Sequence, residues 1–391
     1  MKDDFFKYQG QTTPHPLAIE ISHAKGSYIY DNQGNRMLDF VAGVSANSLG
    51  HNHPKVNSAV QKQLSKYSHV MVYGEFIQEP QLELCKALAN TLPENLSSIY
   101  LVNSGTEATE GALKLAKRFT GRSEIVAAKN SYHGNTQGAM SVSGAELQNQ
   151  AYRPLIPGIK FIQFNDEAAL EKITTKTAAI ILETIQGGAG FIEPKHNFLQ
   201  KIKQQCDRVG ALLILDEIQS GIGRTGKFWG FENYKVTPDI IITGKGLGGG
   251  MPIGAFISSF EIMSVLKEHP KLGHITTFGG HPVIAAAGLA TITEIKQSSL
   301  IEKSLEKEKI IREFFKGHPK IKEIRGRGLM LALIVDSPEF CTQVILECMK
   351  KGLILFWLLF EGSAIRITPP LTISEEEIIE GCTILLEALN V

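Results

Sequence analysis

Three short polar clusters in this chain carry residue types that do chemistry: Asn103-Ser104-Gly105-Thr106-Glu107, Asp216-Glu217-Ile218-Gln219 and Gly244-Lys245-Gly246. The first lies between a β-rich apolar run and a helical pattern. Free backbone N–H groups and the helix dipole there favour an anion, and Gly105 lets a phosphate approach closely. An ordinary Ser/Thr helix cap is the plain alternative. The second closes the apolar run 211–215. A carboxylate in such a place is costly to bury unless it meets a cation. A protonated ring nitrogen would serve, and so would a magnesium ion, because LLILDE mimics a Walker B strand. A salt-bridged or capping aspartate is the bland reading. In the third, glycines flank a lysine at a strand end and can hold its amine in a cleft. Desolvation and a nearby cation lower a lysine pKa and favour nucleophilic Schiff-base chemistry. A solvated loop lysine is the competing reading.

Two other patterns carry little. Residues 221–226 (GIGRTG) fit GxGxxG, but they neither directly follow a strand nor open a helix, as a dinucleotide site requires. A phosphate loop of the GxxxxGK[ST] type needs an upstream Gly and a downstream Ser or Thr around Lys245, and both are missing. The Walker B likeness therefore stands without its partner. One cofactor accounts for all three clusters together. It needs a phosphate cradle, an acid for a pyridinium nitrogen and an amine for an aldehyde, which is the description of pyridoxal 5′-phosphate.

The elements that must position these residues alternate along the chain. Apolar strand-like runs fall at 97–102, 124–127, 178–182, 211–215 and 239–242. They lack polar alternation, so the pattern predicts a parallel sheet buried on both faces. Helical spacing marks Ala108, Ala112, Leu115, Ala116 and Phe119, and again 198–209. The last hundred residues read as a smaller α+β unit. Helix is expected at 283–295 and 301–315, nearly continuous, and strands at 328–335 and 353–359. An amphipathic helix at 374–389 opens on the capping box Ser374/Glu377. A hairpin with its turn at 31–35 is expected near the N-terminus. The expected division is an N-terminal segment 1–45 packing with the small domain, a large cofactor-binding domain 46–287, and a small domain 288–391.

Composition excludes several classes. The chain has 391 residues, 43% hydrophobic and 20% charged, and 40 basic residues balance 40 acidic ones. A net charge of zero argues against a nucleic-acid or membrane-surface partner. The longest apolar run, 353–360, is far short of the roughly 20 residues a membrane helix needs. The start MKDDFFKYQG has no apolar core of a secretory signal. Five scattered cysteines show neither CxxC nor metal-ligand spacing, so no metal is expected and reduced thiols in a cytoplasmic protein are.

The sequence resembles the class III (ω-) aminotransferases, pyridoxal-phosphate enzymes of fold type I, near the acetylornithine and ornithine enzymes. The likeness runs from about residue 16 to the C-terminus. It is carried by LDFVAGVSANSLGHNHP, NSGTEATEGALKLAKRFTGR, SYHG, ETIQGGAG, LLILDEIQSGIGRTGKFWGFE, PDIIITGKGLGGGMPIGA, TTFGGHP, RGRGLML and IRITPPLTISEEE, in that order. The resemblance implies an α/β fold, a large domain with a mostly parallel central sheet plus a smaller α+β domain. It implies that Lys245 binds the cofactor and shuttles a proton. It implies that Asp216 pairs with the ring nitrogen and Gln219 with the phenolic oxygen. Gly105 and Thr106, with Ser104 nearby, would hold the phosphate; Tyr132 would stack on the ring beside His133. Glu183 matches an acid near the cofactor. Arg366 would bind the α-carboxylate of a 2-oxo acid, typically 2-oxoglutarate. Thr277 would reach the phosphate of a neighbouring subunit, implying a homodimer with shared active sites. Another enzyme of the same fold, such as an aminomutase, racemase or decarboxylase, is the alternative.

Two departures bear on the amino donor. After the aromatic-X-Gly triplet the acetylornithine and ornithine enzymes carry an arginine for the donor's α-carboxylate; here it is Asn135. After their Gln-Gly they carry a glutamate that neutralises the terminal arginine; here it is Gly188. Both changes remove charge from the donor side. Loss of one charge-assisted contact weakens donor binding by about 2–3 kcal/mol. With the apolar stretch 356–360, they point to a donor whose distal end is less charged or more hydrophobic.

Overall fold

The computed structural model describes residues 1–390. Its centre is a seven-stranded sheet with the order Ser98–Val102, Gly254–Ser258, Ile240–Thr243, Leu212–Asp216, Thr177–Glu183, Glu124–Ala128, Ile159–Ile162. The last five run parallel. Gly254–Ser258 is antiparallel to both its neighbours. Every residue of Thr177–Glu183, Leu212–Asp216 and Ile240–Thr243 is buried, as expected for strands covered on both faces. The helix Gly105–Thr120 covers one face with Ala108, Ala112, Leu115 and Ala116. Its two ends are sequence-coded. The Ser104 hydroxyl accepts from the Glu107 amide at 3.3 Å, and Gly121 (φ +67°) ends it in the left-handed region.

Two smaller sheets lie outside this one. Met330–Val335 pairs antiparallel with both Ile321–Arg327 and Ala364–Ile367, and Phe356–Trp357 adds to the far edge. The second joins the N-terminal strands Ile21–Lys25, Tyr28–Asp31 and Arg36–Asp39 to Leu353–Ile354. The expected hairpin is there, its turn between Asp31 and Arg36. The helix Glu375–Leu389 carries the reciprocal capping box. The Ser374 amide donates to Glu377 at 2.9 Å and the Glu377 amide to the Ser374 hydroxyl at 3.1 Å. The same Glu377 accepts from Ser27 at 2.9 Å, tying the chain's two ends together.

Three expectations need correction. The strand expected at 353–359 is two short ones, because Leu353–Ile354 pairs with Arg36–Asp39 while Phe356–Trp357 pairs with Ala364–Ile367. The apolar run is continuous; its hydrogen-bond partners are not. The strand expected to start at 328 starts at Met330, since Gly328 (φ +60°) turns the hairpin from Ile321–Arg327. The nearly continuous helix is two, Pro282–Gln297 and Leu300–Phe314, broken where Ser298 turns extended (ψ 166°).

Candidate active site

The sheet delivers the site at one edge, where its parallel strands end. Glu183 and Asp216 close neighbouring strands and stand opposite each other in register. Lys245 follows the next strand by two residues, and Tyr132 follows Glu124–Ala128 by four. Gly105 opens the helix after Ser98–Val102. Open α/β sheets gather ligands at such an edge.

These residues surround one cavity of about 320 Å³, within the range of small-molecule sites. Gly105, Tyr132, Glu183, Asp216, Lys245 and Arg366 line it. Arg366 arrives from the other direction, on Ala364–Ile367, opposite Ala332 and Phe356. His133, Asn135, Thr106 and Gln219 also line it.

The charges are arranged tightly. Asp216 is 5% exposed. Its Oδ2 lies 2.7 Å from His133 Nδ1, and its Oδ1 accepts from the Ile218 amide at 3.0 Å. Burial pushes the Lys245 amine below the usual lysine range; the Asp216 charge pulls it back, Arg366 lowers it further and Glu183 raises it. Lys245 also sits at φ +40°, a conformation L-residues rarely adopt, so the surrounding fold holds the amine in place against local strain. Burial raises the Glu183 carboxyl to about 7, opposed by His133 and reinforced by Asp216. Its oxygens accept from the Gly187 amide at 2.9 Å and the Tyr132 amide at 3.3 Å. Glu183 thus fixes the two loops that flank the cavity. Burial, then the Asp216 charge, raises the Tyr132 hydroxyl.

Arg366 is 5% exposed, and its Nε and Nη1 have no hydrogen-bond partner among the described residues. Burial brings it down to about 10, which still leaves it charged at neutral pH. A buried, unpartnered guanidinium on a cavity wall is a site for an anion. The first N–H groups of Gly105–Thr120 likewise lack intrahelical partners. Gly134 (φ +128°) lets the loop after Tyr132 close on this helix, since a Cβ there would lie 2.3 Å from the Thr106 hydroxyl. Thr106 in turn is held by the Thr136 hydroxyl at 2.9 Å and the Thr136 amide at 3.1 Å.

Two residues singled out from the sequence lie elsewhere. The Ser104 hydroxyl is engaged as the helix cap. Thr277 is exposed and does not line the cavity of its own chain. GIGRTG is a buried turn in which Arg224 Nη1 donates to the carbonyls of Leu329 at 3.1 Å and Pro369 at 2.5 Å. The structure also adds lining residues that sequence reasoning passed over, Val44, Ile218 and Gly134, and places Leu359 of the apolar stretch 356–360 in the cavity wall. Val44 is carried on four consecutive left-handed residues, Ala42 (φ 51°), Gly43 (57°), Val44 (58°) and Ser45 (67°). No residue-type signal predicts that turn.

An amine, a carboxylate, a helix N-terminus and a free guanidinium around one ring-sized cavity define an enzyme for a phosphorylated pyridine aldehyde and an anionic substrate. Comparison with known proteins agrees. The Aminotransferase class-III family model matches residues 9–389. The acetylornithine aminotransferase of Caldanaerobacter subterraneus is 39% identical over 385 residues, 95% of each chain. A putative LysW-aminoadipate semialdehyde/glutamate semialdehyde transaminase of Pyrococcus abyssi is 40% identical over 365 residues, 93% of this chain and 94% of the other. The crystal structure of Toxoplasma gondii ornithine aminotransferase superposes with a TM-score of 0.91 at 31% identity, covering 100% of this chain and 95% of that one. The chain belongs to the class III aminotransferases. It has their fold type I architecture, and its cofactor is pyridoxal phosphate. It is a transaminase; an aminomutase, racemase or decarboxylase does not fit these relatives.

Proposed function

We propose that this transaminase moves an amino group from an ω-amine or amino acid to a 2-oxo acid, 2-oxoglutarate by family likeness, with Lys245 as its catalytic amine. The observation that carries this reading is the unpartnered Arg366 guanidinium in the same cavity as the buried Lys245. When bound, pyridoxal phosphate supplies an aldehyde for the donor nitrogen and a protonated ring that accepts the electrons left at the donor carbon. Gly105 and Thr106 offer helix N-terminal amides to the phosphate. Asp216 would keep the ring nitrogen protonated, and His133, 2.7 Å from its Oδ2, holds the carboxylate in place. Gln219, whose Nε2 donates to the Ser45 hydroxyl at 3.3 Å, would offer its amide to the phenolic oxygen, and Tyr132 would pack on the ring face. Glu183 orients the Tyr132 and Gly187 loops.

Desolvation favours the neutral Lys245 amine, so Nζ is available first as nucleophile and then as base. In the second role Nζ would take up the proton released at the donor carbon and give it back on the far side of the donor nitrogen, two bonds away. Arg366 grips the carboxylate of the 2-oxo acid through two parallel N–H bonds. Thr277, exposed on its own chain, would serve the phosphate of a second subunit in a homodimer. We assign the enzyme to the cytoplasm; among the described residues no helix is long and apolar enough to cross a membrane. The domain division at residues 45 and 287 belongs to the same proposal.

The test is a half-reaction. Donor alone converts the holoenzyme stoichiometrically to the aminated cofactor, followed by its absorption spectrum, and a 2-oxo acid alone restores it. Turnover without that aminated form would sink the reading. On the donor side Asn135 offers only uncharged hydrogen bonds. The expected outcome is poor turnover of N-acetylornithine relative to simple ω-amines or ω-amino acids, and comparable kcat/KM for both would remove the donor assignment.

A further inference from the structure

Gly188 lines the cofactor cavity, and its space is already taken. A Cβ there would lie 2.8 Å from both Cδ2 and Cε2 of Phe360 and 3.6 Å from the Leu359 Cβ. The Phe360 amide donates to the Gly188 carbonyl at 2.9 Å, so backbone and ring clasp the glycine together. Gly188 is not among the positive-φ glycines. The backbone therefore tolerates a side chain, and the neighbouring ring does not. Phe360 also lines a second cavity of about 670 Å³, whose walls include Lys129, Asn149, Arg153 and Phe161. Leu359, next in the chain, lines the cofactor cavity instead.

We infer that Phe360 determines donor specificity by filling the space beside Gly188 and walling the cofactor cavity off from the larger one behind it. The inference rests on the transaminase reading of the cofactor cavity and names its substrate class. The distal end of the donor meets Val44, Leu359 and the neutral Asn135 near this wall. A charge placed beside Val44, Leu359 and Asn135 would lose water with no charged group among these three to receive it. The fitting donor is a primary amine or amino acid with a compact, uncharged, apolar distal end. Longer donors are stopped by the ring and not by a lack of room beyond it.

The experiment uses the holoenzyme and its variants Phe360→Ala, Gly188→Ala and the double variant. The donors are n-alkylamines and 2-amino acids with linear alkyl side chains of increasing length, read as kcat/KM. Phe360→Ala raises the ratio of long to short donors by about 10-fold or more, the scale of a changed apolar contact in a pocket. Gly188→Ala alone lowers both activity and Tm, and removing the ring restores both, so the pair is non-additive. Phe360→Leu carries the same selectivity test should the alanine variant fail to accumulate. An unchanged length ratio with the half-reaction spectrum intact overturns the wall. Additive Tm changes for Gly188 and Phe360 overturn the steric coupling. Failure of the wild-type half-reaction with every donor would instead overturn the parent reading, so the two failures are distinguishable.

Discussion

The two walls of the cofactor cavity are built differently. The cofactor wall comes from consecutive buried strand ends of one sheet, carrying Glu183, Asp216 and Lys245. The donor wall comes from unrelated segments: the left-handed turn at Val44, the loop at Asn135, the bend at Gly188 and Leu359, and Arg366 on a different sheet. The first is fixed by a continuous hydrogen-bond ladder under a dry core. The second is fixed by side-chain contacts between elements far apart in sequence. Chemistry that every reaction cycle needs sits on the rigid wall, and discrimination sits on the adjustable one. Changes on the first should abolish turnover of all donors alike, and changes on the second should reorder them.

The sharpest way to break this contrast is Lys245→Ala. Turnover of every donor should fall by about 10⁴-fold or more, since both a nucleophile and a proton carrier are lost. Steady-state kcat across a donor panel checks it. A variant that kept one donor while losing the others would place Lys245 on the discriminating wall. Arg366→Ala is next in size. Losing a charge-assisted, bidentate contact weakens carboxylate binding by about 2–3 kcal/mol, or roughly two orders of magnitude in KM for the 2-oxo acid. KM for simple alkylamines should move far less; an equal rise for both would show that Arg366 acts through folding. Arg224 sharpens the point. Burial also brings it down to about 10, yet its Nη1 bonds the Leu329 and Pro369 carbonyls and it is not among the residues lining the cofactor cavity.

Much of the rigid wall was legible in the sequence, and little of the other. Apolar runs ending in Asp216 and before Lys245 announce buried strands with functional ends, because a charge after such a run has few other uses. Ser104 and Glu107 announce a helix start. The strand Gly254–Ser258 passed unnoticed because its run, GAFIS, is short and follows a glycine-rich loop. The break between Leu353–Ile354 and Phe356–Trp357 was hidden because pairing partners, and not local pattern, divide that apolar run. Val44 is an apolar residue like many others, and only its placement makes it wall. Gly188 was visible as a departure and 356–360 as an unusually apolar stretch, while the contact that joins Gly188 to the Phe360 ring was not.

A smaller effect tests the rigid wall through pH. The Glu183 carboxyl is raised to about 7 in the folded chain from an ordinary 4.5. The folded state therefore holds this proton more tightly than the unfolded one. Its contribution is fully present below about 4.5 and is lost as pH rises toward 7, by no more than about 3 kcal/mol. Buried Glu217, also raised to about 7, slopes the same way. In the cofactor-free protein, Glu183→Gln should flatten part of the fall of Tm between pH 4.5 and 7 and leave the part due to Glu217. An unchanged slope would mean that Glu183 is not the group titrating.

The smallest effect separates the walls by the sign of their response. Val44 is β-branched and held at φ +58°, ψ +48°, where an L-residue carries about 1–2 kcal/mol of strain. Val44→Gly relieves that strain, while the greater freedom of glycine in the unfolded chain takes back about 0.5–1 kcal/mol. The net expectation is a Tm unchanged or raised by a few degrees, since 1 kcal/mol is worth roughly 2–4 °C in a large domain. The same change removes an apolar surface from the donor wall, so kcat/KM for apolar donors should fall several-fold while the donor-free cofactor spectrum stays as it was. Thermal melts and kinetics on one preparation read both. A variant less stable yet unchanged in donor preference would make the left-handed turn a packing element, and the donor wall would lose one of its four segments.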